Sequence, residues 1–126
     1  MMINPVYFFK YLECGGFCIK YILKQDKKKL DVEYNPRLMP FGLIKRVLEE
    51  YYLVKCYRVN RLKYLENGRC LTLVRVRNKF NHYVVIKKIE NGMVYFYDPA
   101  FLFTRKFKEE KFKKVWINCC CFYLKK

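Results

Sequence analysis

The run His82-Tyr83-Val84-Val85-Ile86-Lys87-Lys88-Ile89-Glu90-Asn91-Gly92-Met93-Val94-Tyr95-Phe96-Tyr97-Asp98 decides how the chain is read. β-Branched and aromatic residues dominate both halves and Asn91-Gly92 interrupts them, so the segment predicts two antiparallel strands, from His82 to Ile89 and from Met93 to Asp98. Loop length then determines which side chains meet. A two-residue turn at Asn91-Gly92 sets Asp98 opposite Val85 and points it away from His82. A three-residue loop of Glu90, Asn91 and Gly92 pairs Ile89 with Met93 and His82 with Ala100, which makes Asp98 a diagonal neighbour of His82 on one face. Joint action of the two side chains therefore requires the longer loop, with Gly92 in the left-handed conformation.

Outward from this hairpin, further strands are expected from Leu53 to Val59, from Cys70 to Arg77 and from Cys119 to Leu124, the last closing the sheet. Glu66-Asn67-Gly68 marks another turn. A short helix is expected from Glu109 to Trp116, with acids in its first turn, Lys113 and Lys114 in its last, and Phe112, Val115 and Trp116 inward. The first half reads differently. Phe17, Cys18, Tyr21 and Ile22 recur at helical spacing between Gly16 and Lys24, and Ile44, Val47, Leu48 and Tyr51 trace one face of an amphipathic helix from Phe41 to Tyr51. Pro40 suits an early helical position. The expected fold is α+β, N-terminal helices packed on a C-terminal antiparallel sheet with a cleft between them.

At 126 residues and 53% hydrophobic content the chain has the size and core-forming material of one domain, residues 1–126, with no repeat or linker. Neither a membrane-spanning run nor a signal peptide is recognised. Seven cysteines, three of them consecutive at Cys119-Cys120-Cys121, make a poor disulfide framework and fit a reducing, cytoplasmic setting. The net charge of +16 attracts anionic partners in general. It is spread along the chain, as in Val74-Arg75-Val76-Arg77, and no RNA-binding signature accompanies it, so nucleic-acid binding is not expected.

Chemistry concentrates at Glu13-Cys14-Gly15-Gly16-Phe17-Cys18, where a helix begins. Amides at a helix N-terminus favour a thiolate, and Gly15-Gly16 permits close backbone approach. The lone histidine, His82, is the candidate base, and Asp98 the candidate group that orients it. Each residue alone has a plainer reading. Buried cysteines are commonly small hydrophobes, as Cys18, Cys56 and Cys70 are read here, and Cys119 to Cys121 are expected to alternate in and out of a terminal strand. A strand histidine is often structural, and Asp-Pro often starts a turn. Cys14 and Cys18 lack the paired spacing of zinc ligands, so no metal or cofactor is expected.

Taken together, the acid-Cys-Gly start of a helix, the His-aromatic-Val-Val strand, the Asn-Gly turn and Asp98-Pro99-Ala100 resemble the C39 peptidases. The similarity in order and spacing covers nearly the whole chain, including the late helix ending in Trp116. The resemblance implies a papain-like cysteine protease, usually the cytosolic N-terminal domain of a bacterial peptide-exporting ABC transporter. Its substrate would be the leader of a bacteriocin or related secreted peptide, cut after a double glycine and coupled to export. It implies Cys14 as nucleophile, His82 as base and later acid, and Asp98 as orienting carboxylate. Gly15-Gly16 belongs to the enzyme's own turn and is not a cleavage site. One position departs from the family: the glutamine expected six residues before the cysteine, an oxyanion donor, is Phe8. Loss of one such donor typically costs on the order of a hundredfold to a thousandfold in rate. The departure leaves two alternatives, an impaired domain that captures leader for a transporter and a stand-alone papain-like peptidase with another substrate.

Overall fold

The computed structural model describes residues 13–76, 80–101 and 103–126. Phe8 and its neighbours, and Arg77 at the end of the second expected strand, lie outside them. Six antiparallel strands form one sheet, in the order β1 (Tyr52–Arg58), β6 (Trp116–Lys125), β2 (Cys70–Val76), β3 (Phe80–Glu90), β4 (Met93–Asp98) and β5 (Phe103–Lys108). Two helices from the first half, α1 (Cys14–Gln25) and α2 (Phe41–Glu49), join one hydrophobic core with residues of one sheet face, while α3 (Glu109–Val115) and a 3-10 turn (Leu62–Leu65) contribute to a second.

Each helix follows its apolar spacing. In α1, Cys18, Ile19, Ile22 and Leu23 are buried while Lys20 and Lys24 are exposed. Both ends of α1 are tied to the sheet. At its C-terminal end Asp26 accepts from Arg69 Nη2 at 3.0 Å and from the Tyr52 hydroxyl at 2.7 Å. The Arg69 guanidinium outweighs burial and holds the Asp26 carboxyl below its usual pKa. In α2, Pro40 stands just outside the helix, its carbonyl accepting from Leu43 and Ile44. The helix stops at Glu49, two residues before the expected end, because the chain tightens through a Tyr51 N–H to Leu48 carbonyl bond and Tyr52 already enters β1.

The hairpin corrects the sequence reading in an instructive way. Its turn has two residues, not three: Glu90 pairs with Met93, and Asn91 and Gly92 have φ of 53° and 73°. Two successive left-handed residues match the twist of the flanking strands, which favours this turn for Asn-Gly. The extra residue lies instead at Lys87, where the register shifts between Ile86 and Lys88. Below the bulge Val85 pairs with Tyr97, the register that the longer loop would have produced. The neighbouring Glu66–Gly68 turn abuts this point. Ile89 N–H donates to the Glu66 carbonyl at 3.2 Å, and a Cβ on Gly68 would stand 2.2 Å from the Lys87 carbonyl oxygen.

Two further expectations change. The C-terminal strand does not close the sheet but runs between β1 and β2, so Cys120 and Cys121 are both buried, in opposite cores, rather than alternating in and out. Strand β5 was not expected. It pairs only with β4 among the described residues, and its basic, mostly exposed alternation hides its strand character.

Candidate active site

Three elements bring Cys14, His82 and Asp98 together. Cys14 opens α1, His82 lies near the start of β3, and Asp98 ends β4. Close approach of α1 needs both glycines beside Cys14. A Cβ on Gly15 would stand 3.0 Å from Ile44 Cδ1 and 3.3 Å from the Tyr83 ring, and one on Gly16 would stand 2.7 Å from Pro36 Cβ. The helix then seats on Tyr83, whose backbone N–H donates to Cys14 Sγ at 3.4 Å and whose carbonyl accepts from Cys18 Sγ at 3.4 Å.

His82 and Asp98 form a short, buried pair. Nε2 of the ring lies 2.6 Å from Asp98 Oδ1, and the Cys14 side chain stands close enough to act on the charge of the same imidazole. With Nε2 engaged by the carboxylate, Nδ1 is the ring atom placed to serve the thiol. Asp98 is fixed by two more donors, the Ala100 backbone N–H to Oδ1 at 3.0 Å and Arg105 Nη1 to Oδ2 at 3.1 Å. The Arg105 guanidinium is itself held over the Phe101 and Phe107 rings, at 4.2 and 4.9 Å from their centroids.

Electrostatics sort these groups clearly. Burial alone disfavours a charged imidazole, but the Asp98 hydrogen bond, then the nearby Cys14 side chain and the charges of both partners, raise the His82 pKa to about 9. Burial likewise disfavours the Asp98 carboxylate, yet the bonds from His82, Ala100 and Arg105 leave its pKa lowered. Burial pushes the Cys18 thiol well above its ordinary value, and the neighbouring Cys14 and Asp98 push it further. Such a centre can hold an imidazolium beside a sulfur nucleophile at neutral pH. Among the described residues no group of three or more His, Cys, Asp or Glu side chains is arranged to hold a metal ion.

Sequence reasoning brought forward all three members of this cluster and missed Arg105. Its available signal was the alternation Thr104-Arg105-Lys106-Phe107-Lys108, which places residue 105 beside Phe96 on β4, two positions before Asp98.

A helix bearing a cysteine at its start, docked on an antiparallel sheet that carries a His–Asp pair, defines a papain-like α+β fold. The chain belongs to the Peptidase C39 family, whose profile matches residues 41–126, a span that contains His82 and Asp98 and begins after Cys14. Among solved structures, it is similar to a double-glycine-motif protease from an AMS/PCAT transporter in complex with the leader peptide. That match has 20% identity and a TM-score of 0.72, covering 100% of this chain and 89% of the other. The peptidase domain of Streptococcus mutans ComA matches at 12% identity and a TM-score of 0.67, covering 97% of this chain and 94% of that domain. A Streptococcus ComA peptidase domain, from a bifunctional ABC transporter of a quorum-sensing pathway, matches at 12% identity and a TM-score of 0.63, over 99% and 96% of the two chains. No curated protein sequence matches the chain. Among the described residues no helix is long and apolar enough to cross a membrane.

Proposed function

We propose that the chain is a cysteine endopeptidase that removes the leader of a double-glycine-type secreted peptide, and that residues 1–126 form one C39 domain acting at the cytoplasmic side of an ABC exporter. The observation that carries this reading is the His82–Asp98 pair at 2.6 Å, with Cys14 close enough to the same imidazole to support its charge. Cys14 is the nucleophile, His82 the proton carrier and Asp98 the orienting carboxylate.

In the reaction, the Cys14 sulfur attacks the carbonyl carbon of the second glycine and forms a C–S bond. His82 gives its proton to the leaving amine as the C–N bond breaks. Water then attacks the thioester with one proton passing to His82, the C–S bond breaks to restore the Cys14–His82 pair, and the leader leaves as a carboxylic acid that loses its proton to solvent. Asp98 keeps Nε2 engaged throughout, so the ring cannot turn away from the sulfur. Family membership and the similarity to a protease crystallised with a leader peptide support this substrate class.

A second reading, a leader-capturing domain with impaired catalysis, is favoured by Phe8 at the position of the family's oxyanion glutamine. Incubation with a panel of double-glycine leader peptides separates the two. Cleavage by the native protein but not by Cys14→Ala supports the peptidase, with Phe8→Gln raising the rate if the amide donor is what the chain lacks. Tight binding without cleavage by either protein would sink the enzymatic reading.

A further inference from the structure

Strand β6 carries three consecutive cysteines, and each meets different company on the strands beside it. Cys119 lies opposite Arg58, and Cys120 lies opposite Tyr57 on one side and Thr72 on the other. Of the three, only Cys121 lies directly opposite another cysteine, Cys56 of β1. The hydrogen-bond ladder fixes how the two face each other. Val59 N–H donates to the Asn118 carbonyl at 2.8 Å, and the alternation of an antiparallel ladder then makes Arg58–Cys119 and Cys56–Cys121 non-hydrogen-bonded pairs. The Thr72 hydroxyl, which donates to the Cys119 carbonyl at 2.6 Å from the β2 side, agrees with a Cys119 carbonyl turned away from β1.

Opposed residues of this kind have Cα atoms about 4.5 Å apart and side chains drawn together on one face, within the span of about 4.4–6.8 Å that a disulfide bridges. Burial, and then the charge of Cys56, push the Cys121 thiol up, so the two sulfurs are near enough to act on each other. No other two cysteines are so placed. Cys70 pairs with Phe122 and Cys120 with Thr72, so Cys70 and Cys120 are diagonal neighbours, a relation that sets Cα atoms about 7–8 Å apart and beyond easy bridging. Both are also fully buried. Cys14 and Cys18 are one turn apart on α1, where Cβ atoms stand about 5–6 Å apart, too far for a bond that needs about 3.5–4.5 Å. Access favours the same pair. Cys121 is fully buried, whereas Cys56 is half-buried on a strand that pairs only with β6 among the described residues.

We infer that Cys56 and Cys121 form a reversible disulfide that fastens β1 to β6, with a small disulfide of the glutathione class as the oxidant. This goes beyond the peptidase reading and does not depend on it. The Cys56 thiolate attacks one sulfur of the small disulfide, forming a mixed disulfide and releasing one small thiol. Cys121 then gives up its proton and attacks the Cys56 sulfur, expelling the second small thiol. Two protein thiols are oxidised and one small disulfide is reduced to two thiols. The bond closes a loop of about half the chain, which restricts the unfolded state strongly. It also secures the strand that follows α2 directly, since α2 ends at Glu49 and β1 begins at Tyr52, and Ile44 of α2 lies against Gly15 beside Cys14.

The test equilibrates the native protein in mixtures of reduced and oxidised glutathione graded from fully reducing to fully oxidising. Free thiols are then trapped with iodoacetamide, and the unreduced digest is mapped by mass spectrometry. The expected product is one cross-linked peptide pair joining Cys56 to Cys121, lost again on return to the reducing mixture, with Cys14 still alkylated. Thermal melts of the oxidised protein should lie about 5 °C or more above those of the reduced protein. Cys56→Ser, a change at a half-buried position, should fold, give no cross-link and melt alike in both mixtures. Cys121→Ala should leave glutathione attached at Cys56. A native protein that stops at the mixed disulfide on Cys56, a cross-link between other cysteines, or a thermal gain that persists in Cys56→Ser overturns the inference.

Discussion

Cys14 and Cys18 lie one turn apart on α1 and touch the same strand residue, yet the fold gives them opposite chemistry. Cys14 sulfur accepts the Tyr83 N–H, whereas Cys18 sulfur donates to the Tyr83 carbonyl. A sulfur that donates must carry its proton, whereas one that accepts need not. The second difference is the company each keeps. Cys14 helps to raise the His82 pKa, while burial raises the Cys18 pKa first and the charges of Cys14 and Asp98 raise it further. Helix position alone therefore does not make a nucleophile. What separates the two sulfurs is which backbone group of one residue each one faces, and which of them the histidine reaches.

The largest expected effect comes from removing one sulfur or the other. Cys14→Ala should lower cleavage of a double-glycine peptide by about 10⁴-fold or more, measured as kcat in a progress-curve assay. Cys18→Ala should leave kcat within a few-fold and lower thermal stability by about 1 kcal/mol, since it trims a buried, weakly bonded sulfur. Iodoacetamide should alkylate Cys14 ahead of Cys18, resolved by peptide mass mapping. Equal losses of activity in the two variants would erase the distinction.

Next in size is the carboxylate that makes the histidine serve Cys14. Asp98→Asn keeps the shape but loses the charge that outweighs burial at His82. The rate should fall by roughly 10²- to 10⁴-fold. An NMR titration of the His82 ring should show its native midpoint near 9 moving down in Asp98→Asn, and moving down less in Cys14→Ala, because the Asp98 bond is the stronger of the two supports. An unchanged midpoint in Asp98→Asn would contradict the arrangement.

The pair also makes stability depend on pH, with the sign set by each shift. The folded His82 pKa, about 9, lies above its ordinary 6.5, so its contribution is complete below 6.5 and fades as pH rises through about 9. The folded Asp98 pKa lies below its ordinary 3.8, so its contribution is complete above 3.8 and fades as pH falls through the lowered value. Thermal melts should accordingly show both contributions intact between about 4 and 6.5, with the alkaline fall attenuated in Asp98→Asn.

Most of this comparison was legible in the sequence, for definite reasons. The periodicities that place Cys14 at a helix start and His82 and Asp98 on strands are local. The question of whether His82 and Asp98 share a face was also posed correctly, as a matter of one extra residue. What sequence could not locate was that residue. Asn91-Gly92 favours its own two-residue turn, and the bulge moves to Lys87 where the Glu66–Gly68 turn meets the strand, a contact between segments about 20 positions apart. Strand β5 escaped notice for a related reason. An edge strand with charged, exposed side chains carries little apolar alternation, and only pairing with β4 reveals that Arg105 reaches Asp98.

The smallest effect expected concerns that arginine, and it shows how far the arrangement at Cys14 depends on support at a distance. Arg105 touches Asp98 Oδ2, with its side chain 29% exposed. It is a positioning residue, acting through the carboxylate. Arg105→Met removes one of the three bonds that keep the Asp98 pKa low, so the acid-side loss of stability should move to higher pH. The rate near neutral pH should fall by no more than about tenfold, because His82 and Ala100 still hold Oδ1. Arg105→Lys should restore the acid limb in part, since a point charge can reach the carboxylate but lacks the planar stacking on Phe101 and Phe107. A variant that lost stability equally at every pH would mean that Arg105 only packs against those rings, whereas a shifted acid limb with a modest rate loss means that it sets the charge on Asp98 that, through His82, distinguishes Cys14 from Cys18.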